Sequence, residues 1–306
     1  MGILVIGATF VDIKGFPFDN YLPTGRNAGR VEYVHGGVAR NVVEDIANVE
    51  LRPTFLSIVD DTPMGDAVIK KLNNHKVNTD YILTRPDGMG TWLAVFDNNG
   101  DVAGSISKRP NMYPIAELLE EKGDEIFSQV PSVVLEIGLD KEIVKGTLSL
   151  AKKHNVKTFA LVANMSIAAE RRDLLQQFDC VICNQQEAGI LFLDDYEGKS
   201  PEEMRDILAE RIIAANIPSM VVTMGCDGAV YANLQGESGI CPAKKVQVKD
   251  TTGAGDSFCA GVAIGMTYGK TMAEAVEIGT TLAASVITSS ENVCPRFRPE
   301  EFGLSI

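Results

Sequence analysis

Six short apolar runs, at 2–7, 54–59, 132–136, 158–162, 180–183 and 220–223, punctuate a chain of 306 residues. Between most of them lie segments whose apolar residues recur at helical spacing: 64–75, 115–128, 141–154, 168–178 and 202–216. Strands that are apolar along their whole length are buried on both faces, and a helix between successive strands returns the chain so that they run parallel. The pattern predicts an α/β fold, a three-layer α/β/α sandwich around a central, mostly parallel sheet.

The rhythm breaks twice. Residues 30–35 and 90–107 alternate in strand fashion with no helix between, the second stretch interrupted by the turn sequence Asp97-Asn98-Asn99-Gly100. They predict a small antiparallel β lid, from about 14–36 and 88–112, inserted in a single domain spanning 1–306. The main core leaves one face of such a sheet uncovered, so Trp92, Val95 and Ile106 need a substrate or a second subunit against them. The first makes the sheet a lid over the site, and the second makes the protein a homodimer through the lid. A decorative hairpin is the plain alternative. No repeat, low-complexity tract or linker divides the chain.

Composition narrows the function classes. With 45% apolar and 23% charged residues the chain can bury a substantial core. Its net charge of −13, without a Lys/Arg cluster, argues against a nucleic-acid partner. The same charge says nothing about a nucleotide, because local amides and a helix terminus decide that binding. The apolar start at 3–6 lacks a basic flank and is too short for a signal peptide, and no later run approaches bilayer length. A cytoplasmic location and no membrane contact are expected. Six scattered cysteines fit reduced thiols. Cys180 and Cys183 form a CxxC, but no second pair completes a zinc site, so both are expected as buried thiols. His35, His75 and His154 stand apart with no nucleophile beside them, and only His35 borders a motif.

The segment richest in chemistry is Asp250-Thr251-Thr252-Gly253-Ala254-Gly255-Asp256-Ser257-Phe258, followed by a small and apolar helical run at 259–268. Two glycines before a helix let backbone N–H groups converge on one point, where the helix dipole adds positive potential. A phosphate in transfer suits that point. Asp256 falls in the first turn, where dipole and amides are expected to favour its ionised form, ready to accept a hydroxyl proton. The plain alternative is a tight turn capped by Asp256.

Residues 250–258 resemble the second signature of the ribokinase-like, or PfkB, carbohydrate kinases. His35-Gly36-Gly37-Val38-Ala39-Arg40-Asn41 resembles their first signature, Thr223-Met224-Gly225-Cys226-Asp227-Gly228 their nucleotide-binding TxGxxG, and Asn184-Gln185-Gln186-Glu187 their NxxE. The motifs stand in family order across nearly the whole chain. The resemblance implies a ribokinase-like fold and an ATP-dependent kinase acting on a hydroxyl of a sugar or nucleoside. By the same resemblance Gly253, Ala254 and Gly255 would give amides to the γ-phosphoryl group and Asp256 would be the catalytic base. Glu187, with Asn184, would organise Mg²⁺ through water. Thr223, Gly225 and Gly228 would line the ATP site, Asn292 would approach adenine, and Asp250 would help hold a monovalent cation, K⁺, as in some relatives. Asp12, in the loop after the first strand, would bind acceptor hydroxyls together with Gly36, Gly37 and Asn41.

Within the family, GGVARN at 36–41, the Asp-Ile at 12–13 and Asn111-Met112 resemble the pseudouridine kinase branch. That resemblance implies transfer to the 5′-hydroxyl of pseudouridine, with Trp92 and Asn111 near the base; ribokinase or another sugar or nucleoside kinase is the alternative. Ala163-Asn164 departs from the Asp-Pro of that branch, and Lys108-Arg109-Pro110 precedes Asn111. A sugar-binding regulator that no longer turns over is disfavoured by the intact Asp256. A Rossmann oxidoreductase would carry GxGxxG after the first strand, and Gly7-Ala8-Thr9-Phe10 does not.

Overall fold

A computed structural model of the chain describes residues 2–162 and 169–305. Among these the main sheet has nine strands. In chain order they are β1 (Leu4–Ile6), β4 (Thr54–Val59), β5 (Ile82–Thr84), β8 (Ser132–Glu136), β9 (Lys157–Leu161), β10 (Cys180–Asn184), β11 (Ser219–Thr223), β12 (Ala229–Asn233) and β13 (Ser238–Cys241). Their spatial order is β13-β12-β11-β10-β9-β8-β1-β4-β5. Every pair from β11 to β5 is parallel, and β12 and β13 add an antiparallel edge.

Alternation along the strands sends side chains to two separate cores. Leu4 and Ile6 of β1 join Val133, Leu135, Ile115 and Ile143 on one face. Ile3 and Val5 join Val42, Ile46, Phe258 and Val262 on the other. The sheet is therefore the middle of three layers. The helices carrying the site belong to the second face: α1 (Val38–Asn48), α8 (Ala254–Thr267) and α9 (Met272–Val286). From β1 the chain runs outward to β4 and β5, then returns to the opposite side of β1 as β8. The strand order reverses between β1 and β8, and in open α/β sheets ligands bind outside the carboxyl ends of the strands at such a point.

The second sheet has the order β3-β2-β6-β7, built from β2 (Phe10–Pro17), β3 (Gly29–Gly36), β6 (Gly90–Phe96) and β7 (Val102–Lys108). It differs from the expected hairpin layout in three ways. Asp12 lies inside strand β2 instead of a loop, so the sheet begins at Phe10. The central pair β2–β6 is parallel, because both strands leave the main sheet in the same direction. Trp92 and Ile106 face opposite sides. Register places Asp12, Trp92 and Ser107 in one row, and the next row holds Tyr33, Ile13, Leu93 and Ile106. Strand parity puts the two rows on opposite faces.

One predicted helix contracts. Of the segment 168–178, residue 168 lies outside the described residues, Ala169 is helical, and within 170–178 the helix is a single turn, α5 (Arg172–Leu175). Leu174, Leu175 and Phe178 do reach the core. The Arg171 guanidinium is bound to the carbonyls of Ile137 and Leu139, which ties the chain at the start of that turn. The helices expected at 64–75, 115–128, 141–154 and 202–216 stand as α2 (Pro63–Asn74), α3 (Tyr113–Phe127), α4 (Lys141–His154) and α7 (Pro201–Ala215).

Candidate active site

Two glycine turns face each other across the point where the strand order reverses. The first joins β3 to α1. A Cβ on Gly36 would come within 2.5 Å of Asp12 Oδ1, and one on Gly37, whose φ is 99°, would meet the Ala8 carbonyl oxygen at 2.6 Å. Glycine is required for both the close approach and the positive φ. Arg40 braces this turn from within. Buried at 1% exposure, it donates from Nε to the Gly36 carbonyl at 3.4 Å, also donates to the His35 carbonyl, and pairs with Glu44 at 2.5 Å. Lys71 reaches the other Glu44 oxygen at 2.8 Å. Burial by itself would raise the Glu44 carboxyl, but Arg40 and Lys71 hold it below the usual carboxylate range.

The second turn opens α8. Gly253 is left-handed at φ 82°, and a Cβ there would stand 2.1 Å from the Asn292 carbonyl oxygen. No side chain caps the helix. The Ala254 N–H already donates to the Thr251 carbonyl at 3.2 Å, so it is not one of the open amides expected from the sequence. Those of Gly253, Gly255 and Asp256 have no partner among the described residues and lie at a helix N-terminus, a place suited to an anion.

Asn41 and Asp256 connect the turns. Asn41 Nδ2 donates to Asp256 Oδ2 at 2.6 Å, while the buried Asn41 Oδ1 has no hydrogen-bond partner among the described residues. Such an orphan acceptor is rare unless a ligand donor meets it. The expectation that the helix start keeps Asp256 readily ionised needs correction. Burial pushes its carboxyl up to about 7, against the Asn41 hydrogen bond and the Arg40 charge, and the carboxylates of Glu136 and Glu187 push the same way as burial. Part of its surface still faces open space, so the shift is fullest when a bound molecule excludes water.

In front of Asp256 lies a hollow of about 630 Å³. Asp12 and Trp92 line it from the small sheet, Ala8 and Glu136 from the ends of β1 and β8, and Asn41 and Arg109 from its rim. Burial raises the Asp12 carboxyl, with Lys14 and Arg40 pulling the other way. Glu136 accepts the Ala8 N–H at 2.9 Å and is likewise raised by burial. Sequence reasoning assigned no role to Glu136 or Arg109. The one available signal for Glu136 was a carboxylate ending an otherwise apolar strand. Asn111 does not join this group: it is exposed, and its Oδ1 accepts the Tyr113 amide at 3.0 Å, just before α3.

Behind the second turn is another hollow, of about 620 Å³, lined by Thr223, Gly225 and Gly228 and closed by aliphatic groups of Val246, Ala284 and Ile287. Gly228 has φ 97°, and a Cβ there would strike the Cys241 carbonyl oxygen at 2.1 Å. The two hollows share the glycine turn: Thr252, Gly253 and Asp256 border the first, and Thr251, Ala254 and Gly255 the second. Asn292 is not in the second hollow. Its Nδ2 donates to the His35 carbonyl at 3.2 Å, and its carbonyl packs against Gly253.

Asn184 and Glu187 form a capping box at the start of α6 (Gln185–Phe192), with Asn184 N–H on Glu187 Oε2 and Glu187 N–H on Asn184 Oδ1, each at 2.8 Å. The pair also borders Asp256 electrostatically, since Glu187 helps to raise that carboxyl. Asp250 Oδ1 accepts the amide and hydroxyl of Thr252 at 2.9 and 2.8 Å. Burial would raise Asp250, but these bonds hold it below the usual range. Among the described residues no group of three or more metal-binding side chains occurs, and Cys180 and Cys183 are buried free thiols. No helix among them is long and apolar enough to cross a membrane.

The model of the pfkB family carbohydrate kinases matches residues 2–294. The chain belongs to that family. It is 35% identical over 292 residues to the guanosine-inosine kinase of Exiguobacterium acetylicum, covering 95% of each chain. It is 27% identical over 276 residues to the pseudouridine kinase of Escherichia coli, covering 90% of this chain and 86% of that one. Among solved structures, Arabidopsis thaliana ribokinase complexed with ribose and ATP superposes with a TM-score of 0.86 at 20% identity, covering 99% of both chains. The fold is ribokinase-like, and the protein is a sugar or nucleoside kinase. The Ala163-Asn164 departure lies outside the described residues.

Proposed function

We propose that this pfkB kinase transfers the γ-phosphoryl group of ATP to the 5′-hydroxyl of a nucleoside, with a 6-oxopurine nucleoside such as guanosine or inosine as its acceptor. The observation that carries the reading is the placement of Asp256, held by Asn41, at the glycine turn shared by the two hollows. Sugar hydroxyls would meet Asp12 and the orphan Asn41 Oδ1, and the reacting hydroxyl would give its proton to Asp256. A carboxylate near 7 is well matched to take that proton at neutral pH. The phosphoryl group in flight would rest on the amides of Gly253, Gly255 and Asp256, which suits a reaction governed by positioning and charge stabilisation. ATP would fill the second hollow along Thr223, Gly225 and Gly228.

Magnesium fits this donor set, because the ion keeps much of its water and takes few carboxylates, and the described residues offer no dedicated cage. Glu187 with Asn184 would hold it through water, and when bound it would neutralise phosphate charge. A monovalent cation beside Asp250 remains part of the proposal.

The purine preference has two supports. The relative named a guanosine-inosine kinase matches at 35% identity against 27% for the pseudouridine kinase. In the acceptor hollow, Trp92 offers a stacking face and Arg109 a fork of donors that matches the O6/N7 edge of a 6-oxopurine. Pseudouridine, favoured by the motifs, is the second reading. ADP release with Mg²⁺-ATP, measured across guanosine, inosine, adenosine, pseudouridine, uridine and ribose, tests both. Turnover on ribose but on no nucleoside would end the nucleoside reading.

The outer row of the small sheet supports a homodimer through that sheet. Tyr33 and Ile106 are 61% and 70% exposed, with Val31 and Leu93 beside them, a surface that a second copy would cover. The six free thiols suit a reducing, cytoplasmic setting.

A further inference from the structure

Asp45 lies one helical turn beyond Asn41 on α1 and is fully buried, bordering neither hollow. It therefore touches no substrate. Both of its side-chain oxygens are occupied: Oδ1 accepts the Cys294 N–H at 2.6 Å, and Oδ2 accepts the Ser257 hydroxyl at 2.7 Å. The Cys294 thiol in turn donates to the Asp45 backbone carbonyl at 3.8 Å. Among the described residues no cation pairs with this carboxyl, and burial pushes it up to about 7. Packing alone does not call for such a group, since apolar side chains fill interiors at lower cost than buried ionisable ones.

Each partner of Asp45 adjoins the site. Ser257 follows Asp256 on α8. Cys294 lies two residues beyond Asn292, whose carbonyl packs beneath Gly253 and whose amide reaches the His35 carbonyl at the other glycine turn. One carboxyl group thus joins the helix carrying Asn41, the helix carrying Asp256 and the segment under Gly253.

We propose that Asp45 is a positioning residue for phosphoryl transfer, fixing the Asn41–Asp256 contact and the Gly253 turn together by tying α1, α8 and the 292–294 segment into one unit. This rests on the reading of Asp256 as the acceptor of the hydroxyl proton. Reacting groups displaced by about 1 Å lose on the order of 100-fold in rate. Most of the binding surface, including Asp12, Trp92 and the second hollow, lies elsewhere, so turnover falls much more than KM changes.

The test compares Asp45→Ala, Asp45→Asn and Ser257→Ala with Asp256→Asn in steady-state assays, each variant checked for folding by circular dichroism. Asp45→Ala is expected to lower kcat about 10- to 100-fold with KM for both substrates nearly constant. Asp45→Asn should recover most of that loss, because its amide oxygen can accept from Cys294 and its nitrogen can donate to Ser257 Oγ. Ser257→Ala, which removes one of the two ties, should fall between and decides the matter if Asp45→Ala does not fold. A folded Asp45→Ala or Ser257→Ala at wild-type kcat would overturn the proposal, as would Asp45→Asn as slow as the alanine variant. Asp256→Asn at full turnover would instead remove the reading on which the proposal rests.

Discussion

Asn41 and Asp256, 215 positions apart in sequence, meet through a 2.6 Å hydrogen bond from the Asn41 amide nitrogen to the Asp256 carboxylate. Among the described residues the bond leaves the buried Asn41 Oδ1, the one side-chain acceptor of that residue, without a partner. In the proposed reaction a hydroxyl bound there would give its proton to Asp256 as its oxygen takes the phosphoryl group.

Asp256→Asn keeps the shape of the site and removes the proposed proton acceptor. The expected outcome is a fall in kcat of about 10²- to 10⁴-fold in the ADP-release assay. Wild-type turnover in this variant would exclude Asp256 from the mechanism.

The raised Asp256 carboxyl sets the pH behaviour. With Asp256 as the proposed proton acceptor, turnover would require its ionised form, so the acidic limb of kcat against pH should have its midpoint near 7. A limb centred near 4 would show that water screens the site even when it is occupied. Stability runs the opposite way. The folded carboxyl titrates near 7 and the unfolded one near 3.8, so the native state binds more protons across that window and loses stability as pH rises through it. Asp256→Asn escapes that loss, and its melting temperature should exceed the wild-type value at pH 8 by more than it does at pH 4.

Gly253→Ala places a methyl group against the Asn292 carbonyl in a left-handed conformation. The strain costs about 1–3 kcal/mol of stability. The turn must shift, and with it the amides proposed to hold the phosphoryl group, so kcat should drop by roughly 100-fold. Thermal melts and kinetics together check this, and full activity would show that the turn does not hold the phosphoryl group.

Arg109→Gln should lower kcat/KM for guanosine and inosine by about 10-fold or more while leaving adenosine and pseudouridine nearly unaffected, because a bidentate purine contact is worth about 1–3 kcal/mol. An equal loss on every acceptor would assign Arg109 to the sugar or phosphate instead of the base.

Ile106→Asp puts a charge into the exposed apolar row of the small sheet. If two copies join there, sedimentation should show dimer for the wild type and monomer for the variant. Identical sedimentation would leave that face without a partner copy.

Much of this architecture was legible in the chain because the strands of a doubly covered sheet are apolar throughout, and the runs at 54–59 and 132–136 coincide with β4 and β8. The glycine turns could be read as well, since a Gly-rich segment ahead of a helical run has few other uses. Harder to read was β2, whose Lys14, Gly15 and Pro17 interrupt the strand pattern. Its pairing with β6 depends on partners far along the chain. The roles of Asn292 and Asn111 were hidden for a similar reason. An amide side chain serves a backbone carbonyl or a ligand equally well, and only the surroundings decide. Asp256 misled in one respect: the helix terminus is local and visible, whereas the burial that raises its carboxyl, with smaller pushes from Glu136 of β8 and Glu187 of α6, exists only after folding.

The glycine turn at 251–256 is a wall between the two hollows, with Thr252, Gly253 and Asp256 on one side and Thr251, Ala254 and Gly255 on the other. A bisubstrate compound, a nucleoside joined through its 5′-oxygen to a nucleotide by a short polyphosphate bridge, could lie across that wall in one piece. In a series of such compounds the bridge length giving the tightest inhibition would act as a molecular ruler for the path the phosphoryl group travels.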